Sequence, residues 1–107
     1  MNSLIPNSQA KVNTILVVDD EIRVAELVAE YIKACGYTVI TCFSGTEALN
    51  IIERRVVDLV VLDVVMPDID GFAVAKKMKS FFGKDNFVPI IMLTALSGTK
   101  DRVAGLQ

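Results

Sequence analysis

Three apolar runs in this chain each end in groups capable of chemistry. Thr14-Ile15-Leu16-Val17-Val18 ends in Asp19-Asp20, Val60-Val61-Leu62 ends in Asp63, and Val88-Pro89-Ile90-Ile91-Met92-Leu93 ends at Thr94. Carboxylates brought together repel, and each raises its neighbour's pKa unless something compensates. A hard divalent cation with oxygen ligands is the obvious compensation. Mg2+ fits best, since it is held by one or two carboxylates together with waters and phosphate oxygens. The chain has no histidine, and Cys35 and Cys42 are not in a metal or redox spacing, which argues against zinc. A carboxylate can also act as a nucleophile and form an aspartyl-phosphate, with a metal screening the anionic donor and the Thr94 hydroxyl bonding a phosphoryl oxygen. The plain alternative is that aspartates after strands cap helices or make turns. That alternative suits Asp68 and Asp70, which flank a Pro67-to-Gly71 loop, and it would suffice for Asp20 or Asp63 alone. The acidic pair, Asp63 and Thr94 taken together favour a site.

These groups converge only if the strands that carry them are parallel neighbours. The run Val56-Val57-Asp58-Leu59-Val60-Val61-Leu62-Asp63 is nearly continuous in β-branched and apolar residues, as expected of a strand buried on both faces of a parallel sheet. Its carboxyl end is where open α/β sheets place ligands. A first strand spans Thr14 to Val18. A helix from Ile22 to Cys35 follows, with Ala25, Val28, Ala29 and Ile32 at i, i+3, i+4, i+7 and Gly36 as its stop. Tyr37 to Cys42 is a second strand. Ser44-Gly45-Thr46-Glu47 has capping-box spacing and opens a second helix to about Arg55. After the central strand, Phe72 to Phe82 forms a third helix with Phe72, Ala75 and Met78 on one side. Gly83 to Asn86 is a turn, Val88 to Leu93 a fourth strand, and Ser97-Gly98-Thr99 opens a fourth helix that reaches Gln107. Strand followed by helix, four times, predicts a doubly wound parallel sheet with right-handed crossovers.

Composition is consistent with such a sheet. The chain has 107 residues, enough for one domain. Hydrophobic residues make up 52% and the mean hydropathy is +0.48, yet no apolar run approaches the ~18 residues of a membrane span, so the excess must be buried. A net charge of -2 gives no support for nucleic-acid binding by this segment. Residues 1–13 lack periodicity and are expected to be a flexible leader, with the folded domain over 14–107. No signal peptide is evident and the two thiols suit a reducing compartment, so the expected location is the cytoplasm, with no membrane association.

Val17-Val18-Asp19-Asp20-Glu21, Leu62-Asp63-Val64-Val65-Met66-Pro67-Asp68-Ile69-Asp70-Gly71 and Leu93-Thr94-Ala95 together resemble the receiver domain of bacterial two-component response regulators. The resemblance runs from about Thr14 to the end of the chain. It implies a flavodoxin-like (CheY-like) fold with strand order 2-1-3-4-5, in which strands 1 and 3 are neighbours across the switch point. It further implies that Asp63 is the phosphoacceptor and that Mg2+ is held by Asp20 directly, by Asp19 through water, by Asp63 and by the backbone carbonyl of Val65. Thr94 takes the place of the switch hydroxyl and Ala95 that of the small residue beside it. The implied partner is a sensor histidine kinase or a phosphotransfer protein, in a phosphorelay in which the domain is not an enzyme beyond accepting the phosphoryl group itself.

A receiver normally continues to a fifth strand, a lysine after it, and a fifth helix. These do not appear before Gln107, so the expected order is 2-1-3-4 with the fifth strand and fifth helix absent. Strand four is then an open edge, which predicts either a piece of a longer protein or a homo-oligomer that covers the edge. Lys100 is expected to be a solvated surface charge. Apolar Val65 and Leu96, two residues after Asp63 and Thr94, predict a long-lived phosphorylated state. The alternative function is a phosphorylation-incompetent receiver fragment that serves as an interaction surface. A related α/β phosphatase or flavin protein fits worse: Val65 stands where such phosphatases place a second aspartate, and Asp19-Asp20-Glu21 where a flavin protein needs a hydroxyl-rich phosphate loop.

Overall fold

The computed structural model describes residues 13–64, 66, 69–83 and 87–93. Seven elements alternate along them: β1 (Thr14–Val18), α1 (Ile22–Ala34), β2 (Thr38–Cys42), α2 (Gly45–Arg54), β3 (Leu59–Asp63), α3 (Gly71–Phe82) and β4 (Ile90–Leu93). The strands form one parallel sheet in the order β2-β1-β3-β4. The predicted order 2-1-3-4 is therefore observed. Residues 1–12 of the predicted leader and the predicted fourth helix from Ser97 lie outside the described residues.

Successive side chains on a strand point to opposite faces, and the strands here are apolar on both. Leu16, Val18, Val60 and Leu62 enter the larger core, where Ala48 and Ile52 from α2 and Val74 and Met78 from α3 cover them. Ile15, Val17 and Val61 face the other way, onto Ala25 of α1 with Val28 and Ile32 beside it. Burying a side chain such as Leu16 or Leu62 completely contributes about 1.5–3 kcal/mol. This two-sided burial accounts for the high hydropathy of a chain whose described helices are all too short or too polar to cross a membrane.

Local signals set most boundaries. Gly36 has φ 104 and ends α1, its N–H donating to the Lys33 carbonyl at 2.9 Å. Ser44 caps α2, its Oγ accepting from Glu47 N at 3.1 Å. The reciprocal bond of the capping box is displaced by one residue: Glu47 Oε1 accepts from Phe43 N rather than from Ser44 N.

Three expectations require correction. The central strand begins at Leu59, not at Val56. Val56 is exposed, and Asp58 Oδ2 accepts from Asn13 N at 3.1 Å and Thr14 N at 2.9 Å, a carboxylate closing the sheet's lower end where a further strand residue was expected. On α3 the buried face is Gly71, Val74 and Met78, with Ala75 and Phe82 partly buried against the same core. Phe72 is 60% exposed and does not share the Met78 face. The fourth strand begins at Ile90, not at Val88: Pro89, expected within its start, stands just ahead of it, has no N–H to offer a ladder, and its carbonyl accepts from Val60 N at 3.0 Å. Met78→Ala is expected to lower stability by about 2–4 kcal/mol, and Phe72→Ala by under about 1 kcal/mol, in urea denaturation. Equal losses would return Phe72 to the core.

Candidate functional site

Because Val18 pairs with Leu62 in parallel, the next residues along the two strands, Asp19 and Asp63, emerge side by side at the carboxyl edge of the sheet. Asp63 closes β3 opposite Leu93 of β4. One carboxylate oxygen each from Asp19, Asp20 and Asp63 lies within 4.8 Å of the others. Asp19 and Asp63 are 3% and 1% exposed, the buried polar residues of the described core, and Asp20 is half-buried at its rim. At this spacing each ionised pair repels by on the order of 3 kcal/mol at an effective dielectric of about 20.

The backbone holds these groups in place. Asp19 N donates to the Cys42 carbonyl at 3.2 Å, continuing the sheet by one residue. Asp19 Oδ1 accepts from Glu21 N at 2.9 Å and shapes the turn into α1, whose N-cap Glu21 makes no side-chain cap of its own. The turn-making role is thus real for Asp19, and it coexists with membership of the cluster. Asp70 is exposed and stands at the N-cap of α3, where its carbonyl accepts from Val74 N but its side chain makes no cap hydrogen bond.

A contact the sequence did not reveal lies directly behind Asp63. Val64 N donates to the Leu93 carbonyl at 3.0 Å, and Gly71 N donates to the Val64 carbonyl at 2.8 Å. A Cβ on Gly71 would come 2.5 Å from Val64 Cα and 2.7 Å from the Asp63 carbonyl oxygen. Gly71 was assigned only as a loop end; it also lets α3 start against the backbone of the strand's last residues. Val65, Asp68, Thr94, Ala95, Leu96 and Lys100 lie outside the described residues.

Three buried or half-buried carboxylates with no histidine or thiolate form a hard, all-oxygen donor set. That set suits Mg2+ or a similar divalent cation and fits zinc poorly.

A family model for the response regulator receiver domain matches residues 15–107. The chain belongs to this family. Curated relatives include a probable transcriptional regulator, ycf27, of Porphyra purpurea, 45% identical over 87% of this chain and 37% of the relative. Another is the regulatory protein VanRc of Enterococcus gallinarum, 41% identical over 87% of this chain and 38% of the relative. The chain thus spans little more than a third of the length of the curated relatives it matches. Among solved structures, chemotaxis protein CheY4 of Vibrio cholerae superposes with a TM-score of 0.73 at 30% identity, covering 90% of this chain and 79% of that one. Response regulator TrrA of Thermotoga maritima, solved in complex with Mg2+ and BeF, does so with 0.62 at 29%, covering 89% and 99%. Receiver domains are signalling modules of two-component systems, so this chain is one by family.

The repulsion within the cluster has a measurable consequence for this receiver domain. In buffer with a chelator, Asp20→Asn is expected to be more stable than the parent by about 1–2 kcal/mol, because one repelling charge is gone. Millimolar Mg2+ should raise the parent's melting temperature and leave the variant's nearly unchanged. A parent indifferent to Mg2+ would contradict the donor-set assignment.

Proposed function

We propose that the domain is the phosphoacceptor of a two-component system, phosphorylated on Asp63 in a Mg2+-dependent reaction. The observation that carries this reading is the convergence of Asp19, Asp20 and Asp63 at one sheet edge, with Asp63 almost fully buried at the end of the central strand. An isolated buried carboxylate would be neutralised or paired; three together suit a cation and then a phosphoryl group.

On this reading Asp20 and Asp63 would hold the metal directly and Asp19 through water, with the Val65 backbone carbonyl as a further ligand. Bound Mg2+ supplies the positive charge that offsets the phosphoryl oxygens. An Asp63 carboxylate oxygen attacks the phosphorus of a phosphohistidine on a sensor kinase or phosphotransfer protein. A P–O bond forms, the P–N bond breaks, and the histidine nitrogen leaves with the electron pair. Asp19 keeps the turn before α1 in shape, and the pairing of β3 with β1 keeps Asp63 from swinging away. Thr94, which follows the residue paired with Asp63, supplies a hydroxyl to a phosphoryl oxygen and couples the event to the rest of the domain. Placement in the cytoplasm follows from a kinase partner of this kind. Because curated relatives are described as transcriptional regulators, control of transcription is the output this reading assigns to the longer protein.

Incubation with Mg2+ and acetyl phosphate should add one phosphoryl group, about 80 Da in intact mass, to the parent and none to Asp63→Asn. Absence of the gain in the parent would favour a receiver that works as an interaction surface alone.

A further inference from the structure

Gly71 opens α3 and is buried, yet it has none of the positive φ that Gly36 and Gly83 show. Its backbone conformation therefore suits any residue, so space is what excludes a side chain. Gly45, which also opens a helix, is crowded by side-chain ends: a Cβ there would overlap Ile69 Cγ2 and come 2.7 Å from Val74 Cγ2. At Gly71 the three nearest atoms are all backbone. A Cβ would come 2.5 Å from Val64 Cα, 2.6 Å from the Val64 carbonyl oxygen and 2.7 Å from the Asp63 carbonyl oxygen. Backbone atoms have no second rotamer to turn into, so a methyl group at 71 must push helix and strand apart. Restoring ordinary contact, near 3.4 Å, from 2.5 Å asks for about 0.9 Å of movement between them. The helix does not retreat freely. Val74 and Met78 are 0% exposed on the larger core, and moving α3 outward opens a cavity beneath them. The movement is therefore shared with the end of β3. Pairing of β3 with β1 runs as far as Leu62 opposite Val18. Beyond it, Val64 N donates to the Leu93 carbonyl at 3.0 Å and Gly71 N to the Val64 carbonyl at 2.8 Å. Gly71 thus braces the backbone that carries Asp63, by direct contact.

We propose that Gly71 is a positioning residue for the Asp63 nucleophile: by lacking a Cβ, it lets the start of α3 fix the last backbone unit of β3 where the three carboxylates converge. The inference rests on the phosphoacceptor reading given above, in which Gly71 is no ligand and touches no phosphoryl group. Mg2+ requires near-ideal octahedral geometry at short distances, and a misplacement of about 1 Å can cost a reaction on the order of 100-fold. A strand end displaced to admit a methyl group at 71 therefore reacts more slowly, with every carboxylate still present.

The test is the rate at which the 107-residue chain gains a phosphoryl group from acetyl phosphate at saturating Mg2+, followed by intact mass, with circular dichroism reporting the fold. Gly71→Ala is expected to react at least about ten-fold more slowly than the parent while remaining folded. Val57→Ala is the control for lost stability alone: Val57 is 4% exposed in the same core, just ahead of β3 at the end of the strand opposite Asp63. It should react within about two-fold of the parent. A folded Gly71→Ala that keeps the parent's rate overturns the proposal, and so does a Val57→Ala slowed as much as Gly71→Ala. Where Gly71→Ala does not fold in plain buffer, all three chains are compared in trimethylamine N-oxide, which favours the compact state. A Gly71→Ala still unfolded there makes Gly71 a requirement of packing alone, and the proposal falls. A parent that gains no phosphoryl group overturns the phosphoacceptor reading itself, which is a different result and is seen before any variant is made.

Discussion

Parallel pairing of β1 with β3, in the register that sets Val18 beside Leu62, delivers two acid-terminated strands to the same edge of the sheet. An antiparallel partner, or a register shifted by one residue, would send Asp19 and Asp63 to opposite ends or opposite faces. The pairing arises because the winding reverses after β2: β3 crosses to the far side of β1 instead of adding beside β2. Open α/β sheets form their crevice at such a reversal. The site is therefore a property of strand order before it is a property of any side chain.

Holding three carboxylates within 4.8 Å of one another opposes folding, and the apolar sheet beneath them offsets that cost. Leu16, Val18, Val60 and Leu62 on one face and Ile15, Val17 and Val61 on the other bury the two strands that end in acid. A rigid, two-sided core allows the edge to keep these like charges together, where a bound cation would relieve them. A small change in charge at the edge then meets a sheet that cannot deform smoothly, which is the condition for a local event to bias a larger rearrangement.

Much of this was legible in the amino-acid sequence because its signals were strong and local. Apolar runs ending in Asp19-Asp20 and Asp63 marked the strands and their polarity, Gly36 marked the end of α1, and Ser44 with Glu47 marked the start of α2. The face of α3 was misjudged because its apolar residues extend around the helix: the series 72, 75, 78 and the series 71, 74, 78 are both present in Gly71–Phe82. Close contact between Gly71 and the Val64 backbone selects the second series, and a contact of that kind leaves no periodic trace. The start of β3 was misjudged for a similar reason, since β-branched Val56 and Val57 look like strand until Asp58 turns to hold the amides of Asn13 and Thr14. Gly45 and Gly71 read as ordinary helix-start and loop glycines. Only their neighbours in space show why a Cβ is excluded.

The central claim is that Asp63 accepts a phosphoryl group over a cation held by the acidic pair. A crystal structure of the domain grown with Mg2+ and beryllium fluoride, a mimic of the phosphoryl group, tests it most directly. The account predicts beryllium fluoride on the Asp63 carboxylate and one Mg2+ bridging it to Asp20, with Asp19 reaching the ion through water. A cluster that binds neither, or a fluoride adduct on another carboxylate, would contradict it.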